Sequence, residues 1–356
     1  MSELIHLCRG GVSVAIGSDD RGVPVMLHWG AALDSIDDLA LALRPGISMS
    51  AFDHRRQRGL VGAAGFAGTP GVTGHRDGGG SMPLPRQWST TSTDASATFT
   101  GVDPEAELKI EVELHLTRAG LLRMRTNLTN LGETDWHLGR VLNALPVGAY
   151  ATELLDLTGR WCKERSPQRH PWVQGTYRRD GRHGRTGHDA TLLMIAGTSG
   201  FNFNAGELWG VHVAWSGDHT TYAERTAEGE CVLGGGELLA PGEVTLTSGE
   251  TYGTPWLLGS YSAAGLDPMS HRLHEWIRSQ SPRTRSPRPV IANTWEAVYM
   301  DHDLDKLTAL ADKAAKVGVE RFVLDDGWFP SRNDDLAGLG NWVVDDTKWP
   351  DGLRPL

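Results

Sequence analysis

The chain has 356 residues, 39% of them hydrophobic, and a formal net charge of -10, which gives apolar material for a large core and more length than one ordinary domain uses. The negative charge is spread along the sequence, which argues against a nucleic-acid or anionic-membrane partner. No stretch approaches the roughly 20 apolar residues that span a bilayer, and Met1 to Gly11 lacks a charged region followed by an apolar run, so a cytoplasmic location is expected.

From Met1 to about Gly265 the pattern is that of strands. Leu108, Ile110, Val112, Leu114 and Leu116 alternate with Lys109, Glu111, Glu113 and His115, the period of a half-buried strand. Arg118, Ala119 and Gly120 turn the chain, and Leu122, Met124, Thr126 and Leu128 continue the alternation, which predicts an antiparallel hairpin. Shorter runs of the same kind lie at Thr191 to Ala196, Leu208 to Trp215 and Glu243 to Leu246, so residues 1–265 are expected to form a large antiparallel sandwich. The glycine-rich stretch 52–88 is expected to be a long loop.

The chain carries 44 glycines, which fit many tight turns, and 13 tryptophans, whose flat apolar faces match the C–H face of a sugar ring. Cys8, Cys162 and Cys231 are widely separated and form no CxxC pair, so they are expected to be reduced thiols with neither a disulfide framework nor a zinc site.

The character changes after Asp267. Met269 to Ser279 can form a helix with Leu273, Trp276 and Ile277 on one face, and Ser281 to Pro289 has the composition of a linker, so residues 266–288 are expected to connect two domains. A βαβ unit follows. Val290 to Val298 is expected as a strand. Leu304, Leu307, Leu310, Ala311, Ala314 and Val317 repeat at helical spacing, with Asp303 as a start cap and Gly318 as a stop, and Val319 to Leu324 is expected as the second strand. Two strands and one helix cannot cover both faces of a parallel sheet, so residues 289–356 are expected to be the truncated start of a (β/α)8 barrel.

In a βα unit the functional groups gather where strands end and loops begin. Asp325, Asp326, Gly327 and Trp328 fall there, and Gly327 permits the break that lets neighbouring aspartates converge. The acid and nucleophile of a retaining glycosidase must flank the scissile bond with carboxyl groups about 5–5.5 Å apart, which suits sequence neighbours poorly. Ionised carboxylates that accept hydrogen bonds from vicinal hydroxyls suit them better, and Asp325 and Asp326 are therefore expected to bind a polyol. The competing structural reading has Asp326 capping a turn and Asp325 paired with Arg321 or Arg332. Trp295, in the run Asn293-Thr294-Trp295-Glu296 at the end of the preceding strand, would add an aromatic platform at the same edge. His271 and His274 share a helical face but have no third ligand, and Asp301-His302-Asp303 reads as helix initiation, so no metal site is expected.

The run RPVIANTWEAVYMDHDLDKLTALADKAAKVGVERFVLDDGWF, followed by Arg332, Asp334, Asp335, Leu339-Gly340, Trp342 and Trp349-Pro350-Asp351-Gly352, closely resembles the start of the catalytic barrel in the α-galactosidases of glycoside hydrolase family 36. Gly159-Arg160-Trp161, the block Gly206 to His219, Leu239 to Glu243 and Ser260 to Asp267 resemble that family's N-terminal β-supersandwich and its junction with the barrel. The resemblance implies hydrolysis of terminal α-galactosides (melibiose or raffinose type) with retention, without a cofactor, by a homotetramer. It also implies that Asp325 and Asp326 bind galactose hydroxyls and that Trp295 lines the same pocket. The family's nucleophile and acid/base lie on later strands with no counterpart here, so the resemblance implies that this chain alone does not cleave its sugar. Asn341 stands before Trp342 where the family usually has aspartate, and the loop with Arg76 resembles only loosely a segment that reaches a neighbouring subunit. A non-catalytic carbohydrate-binding or assembly protein, and a related transferase of the raffinose type, are the alternative readings.

Overall fold

The computed structural model describes residues 4–19, 21–39, 59–62, 66–79, 82–280 and 287–356. It divides into two compact units, Met1–Gln280 and Ser281–Leu356.

The first unit is built on a ten-stranded sheet. Its path runs from Lys163–Pro171 through Glu153–Arg160, Leu193–Gly197, Leu208–Ala214, Trp256–Ser262, Leu122–Asn130, Leu108–Leu116 and Ser96–Asp103 to Gln87–Ser92, with Thr251–Gly253 paired to Leu122–Asn130 off the path. A four-stranded sheet of Asn143–Pro146, Cys231–Glu237, His219–Arg225 and Gly175–Gly181 and two three-stranded sheets complete the unit. Every pairing in it is antiparallel, as the alternation predicts.

The predicted hairpin is present, with Leu108 opposite Asn130 and Leu116 opposite Leu122. Thr117 donates its amide to Leu121 O at 2.9 Å, and Gly120 supplies the left-handed residue of the turn at φ 76°. Leu108, Ile110, Val112, Leu114 and Leu116 are all within 1% of full burial, in one core with Leu145, Trp136 and Leu233 from the other sheets. Burial of such a row is the main stabilising term, at roughly 1.5–3 kcal/mol per side chain. On the opposite face Glu113 lies across from Arg125, which donates from Nε and Nη2 at 2.8 and 3.0 Å. That pair is partly hydrated, so Glu113→Ala is expected to cost less than about 1 kcal/mol in urea unfolding.

Stretch 52–88 is not one loop. Val72–His75 is a strand paired with Trp136–Val141, while residues 52–58, 63–65 and 80–81 lie outside the described residues. Its glycines are sites of close approach: a Cβ on Gly71 would come within 2.3 Å of Val61 O, and one on Gly74 within 2.5 Å of the Trp136 indole nitrogen. Packing, and not turn formation, requires glycine there.

The expected connecting helix spans Leu266–Gln280 and belongs to the first unit. Its buried residue is Met269, which packs with Leu155, Ile195, Phe201 and Leu208, and Ser260 Oγ donates to Met269 O at 3.0 Å. Leu273 and Trp276 are only half-buried and Ile277 is exposed, so the packed face differs from the one expected. The polar anchor is Arg272, which donates to Tyr261 O at 2.9 Å and Ala119 O at 2.7 Å.

In the second unit Ile291–Asn293 and Arg321–Val323 pair in parallel, with Ile291 opposite Arg321. The helix Leu304–Lys316 lies between them in sequence, and the Asp303 carboxylate accepts from Lys306 N at 2.8 Å as its cap. Gly318, at φ 90°, ends it. Of the apolar stripe on this helix only Leu307 is fully buried, in a small cluster with Val298 and Trp349. The expected strand 290–298 stops at Asn293, because the Asn293 side chain accepts from Trp295 N at 2.8 Å and starts a helical turn over Trp295–Val298.

Candidate functional site

The ends of the two parallel strands are tied together by side chains. Thr294 donates its amide to Val323 O, and its Oγ1 accepts from Asp325 N, both at 3.0 Å. Thr294 is fully buried, so the two strand ends share one fixed frame. Asn293 uses its Oδ1 on Trp295 N at 2.8 Å and its Nδ2 on Asp325 Oδ2 at 2.5 Å. One asparagine therefore orients the first aspartate and starts the turn that carries Trp295.

The second aspartate is held from the other side. Arg332 donates to Asp326 Oδ2 from Nε at 2.9 Å and from Nη2 at 2.8 Å, while its Nη1 donates to Ala337 O at 3.0 Å. The two side chains are 17% and 9% exposed, so water competes weakly for the contact. The competing reading paired Arg332 with Asp325, and the arginine lies instead on Asp326. Next to it Gly327 takes φ 102°, with a prospective Cβ 3.1 Å from Met300 Cα, so a larger residue would both strain the backbone and crowd its neighbour. Lys348 secures the loop by donating to Gly327 O at 2.9 Å and Arg332 O at 3.3 Å.

Asp325 and Asp326 each spend one oxygen on a local amide. Asp325 Oδ1 accepts from Asp326 N at 2.7 Å, and Asp326 Oδ1 accepts from Gly327 N at 3.1 Å. A carboxylate has about four acceptor sites, so both keep capacity for hydroxyl donors. Such a pair is a rigid, half-buried double acceptor. His302 lies beside it with its ring 6.0 Å from Trp349. Burial, together with the Lys348 charge, holds its imidazole below the usual range, so at neutral pH it adds no positive charge.

Trp295 is half-buried, its ring 5.3 Å from that of Tyr299 at 81°. It lines a hollow of about 690 Å³ with Tyr299, Asp301, Asp334, Asp335 and Lys348. The two aspartates are not in that lining. The structure thus joins Trp295 to the aspartates through Asn293 and places its indole on a neighbouring surface. Sequence reasoning did not single out Asn293, Thr294 or Lys348. An asparagine two residues before a helical turn is the signal that could have found the first of them.

Other candidates resolve into structural roles. Arg76 donates to Ala106 O and, at 2.6 Å, to Asn130 Oδ1, and its guanidinium lies 5.7 Å from the Trp136 ring. Asn341 donates to Pro330 O at 3.3 Å, beside Trp342, which stacks edge-on against Phe329. His271 and His274 have ring centroids 6.4 Å apart, and among the described residues no cluster of His, Cys, Asp and Glu is arranged to hold a metal ion.

Comparison with known proteins gives this geometry a context. The family model for the glycosyl hydrolase family 36 N-terminal domain matches residues 22–247, and the melibiase model matches residues 251–356. An alpha-galactosidase of Escherichia coli is 38% identical over 337 residues, covering 93% of this chain and 48% of that protein. Alpha-galactosidase Mel36A of Lactobacillus acidophilus is 32% identical, covering 76% and 38%. The fold is shared with the family 36 alpha-galactosidase AgaA of Geobacillus stearothermophilus, solved as a variant with raffinose, at a TM-score of 0.84 and 23% identity over 99% of this chain and 54% of that one. The chain spans about half the length of these relatives.

Proposed function

The chain belongs to glycosyl hydrolase family 36, and from that premise we propose that it forms the sugar-recognising half of an enzyme that hydrolyses terminal α-galactosides. Asp325 and Asp326 accept hydrogen bonds from galactose hydroxyls, and Trp295 borders the sugar. The observation that carries this reading is the opposed anchoring of neighbouring carboxylates, Asp325 by Asn293 and Asp326 by Arg332. Fixed acceptors need little reorganisation to receive a ligand, which is the condition for strong hydrogen bonding to a neutral polyol. Melibiose and raffinose are substrates of the expected type, in keeping with the raffinose complex of the Geobacillus protein.

The same geometry argues against Asp325 and Asp326 as the reacting pair. Retention requires one carboxylate to attack the anomeric carbon while another, across the bond and about 5–5.5 Å away, protonates the leaving oxygen. Adjacent residues of one strand end, anchored to the same loop, do not take opposite sides of a ring. In this proposal the reacting carboxylates come from later strands of a larger barrel. The exposure of Ile291 (52%) on the two-stranded sheet, and of Val290 (57%) just before it, supports that reading, since parallel sheets are ordinarily covered on both faces. The 356-residue chain is therefore expected to release no nitrophenol from p-nitrophenyl α-galactoside above the blank. Steady turnover by the purified chain would overturn the assignment.

A further inference from the structure

We infer that His302 is a positioning residue for the galactose clamp and that the sugar binds more tightly when its ring is uncharged; the inference rests on the galactose reading of Asp325 and Asp326. His302 follows the helical turn Trp295–Val298 that begins at the end of the first parallel strand. Its ring is half-buried and meets Trp349 edge-on at 6.0 Å. Both ring nitrogens are closed to water, and neither makes a hydrogen bond of good geometry among the described residues. Buried polar atoms are nearly always paired, so two orphans on one ring require an explanation.

The neighbours of the ring supply one. The backbone carbonyls of Tyr299, in the loop after the first strand, and of Asp326, in the loop after the second, act on the ring in favour of its protonated form. A neutral imidazole has one N–H and can serve one of these acceptors, whereas the cation can serve both. Burial and the Lys348 charge oppose the proton and prevail. The remaining charged neighbour, Asp301, favours the cation only weakly, and its carboxylate is paired with Lys306 at 2.9 Å. The Tyr299 carbonyl belongs to a residue at φ 48°, ψ -123°, a conformation that bulky side chains rarely adopt, held by an amide that donates to Trp295 O at 2.7 Å. The ring therefore stands between two charge states at the joint of the two loops.

The clamp feels that choice through Lys348. Its ammonium donates to Gly327 O at 2.9 Å and to Arg332 O at 3.3 Å, and Arg332 in turn holds Asp326. An imidazolium beside Lys348 puts two cations in one half-buried space and draws on the carbonyl of Asp326 itself. Both effects act on the loop that fixes the second aspartate. Galactose affinity should accordingly fall as the pH drops and the cation becomes populated.

Calorimetric titration of the 356-residue chain with D-galactose at about pH 7.5 and about pH 5 tests this. Affinity of the wild type is expected to fall about fivefold across that interval. His302→Gln, which keeps a polar side chain without a titrating group, should lose most of that dependence and change by less than about twofold. Protonation of the clamp carboxylates is common to both proteins, so the difference between the two profiles reports His302. A second readout needs no variant: at about pH 5, added galactose should move the His302 ring resonance of the wild type towards the neutral imidazole position. Equal pH profiles in the two proteins, or a ring resonance that galactose leaves in place, would overturn the role of His302 while leaving the galactose clamp standing. Failure of the wild type to bind galactose at about pH 7.5 would instead remove the reading on which the inference rests.

Discussion

Asp326→Ala is expected to weaken galactose binding to the 356-residue chain by about 10- to 100-fold, measured by calorimetric titration. A hydrogen bond to a charged acceptor contributes roughly 1.5–3 kcal/mol, and Asp326, which already accepts from Gly327 N and twice from Arg332, keeps about one acceptor site for a hydroxyl. The substitution also releases Arg332, whose Nε and Nη2 are spent on Asp326. That cation would then keep only Asp335, 3.8 Å away, and Ala337 O, and it has no acceptor to offer a hydroxyl. Asp326→Asn keeps the size and one acceptor oxygen but removes the charge, so it should fall between wild type and Ala. The reading fails if the Ala variant retains wild-type affinity.

The largest stability effect is expected far from that site, at Asp156. Its side chain is 2% exposed and contacts Arg179 Nη2 at 2.6 Å and Nε at 2.7 Å, with the Tyr177 hydroxyl at 3.2 Å. Arg179 in turn donates to the Tyr177 oxygen at 2.7 Å. Asp156→Ala removes the buried partner of the pair and leaves a phenol and a guanidinium that is 25% exposed facing a void, which costs roughly 1–3 kcal/mol. Urea unfolding followed by far-UV circular dichroism would read this as a lower midpoint with the slope unchanged. Replacing Asp156 and Arg179 together by Leu should recover much of the loss, because the pair is compared with a packed apolar substitute. A loss under about 1 kcal/mol for the single variant would place Asp156 with the hydrated pairs such as Glu113 and Arg125.

Much of the fold was legible because one interaction dominated locally. The row Leu108 to Leu116 has a single apolar face, and a one-residue slip would turn the whole row to solvent, so its register follows from its pattern. The helix Leu304–Lys316 was legible through its caps, Asp303 and Gly318, more than through its stripe, whose ends Leu304 and Val317 are 37% and 82% exposed. Pattern failed where long-range packing chose the residue type. Gly71 and Gly74 read as loop residues, yet they are glycine because Val61 and Trp136 approach too closely for a Cβ. Asn293 shortened a predicted strand through one side-chain hydrogen bond, which apolar periodicity does not register.

For the candidate site, residue type and place were legible and partners were not. Position at a strand end marks Asp325 and Asp326, but nothing in the spacing says that Arg332 selects the second and Asn293 the first. That division matters chemically. It fixes two like-charged neighbours by separate partners, so that they present acceptors together without relying on each other.

The central claim is that galactose is recognised at the end of Arg321–Val323 and not on the sandwich. A crystal structure of the 356-residue chain soaked with D-galactose tests it most directly. The account predicts sugar hydroxyls within about 2.5–3.0 Å of carboxylate oxygens of both Asp325 and Asp326, with the Asn293 and Arg332 contacts retained. Galactose bound only on the first unit, with the two aspartates untouched, would contradict it.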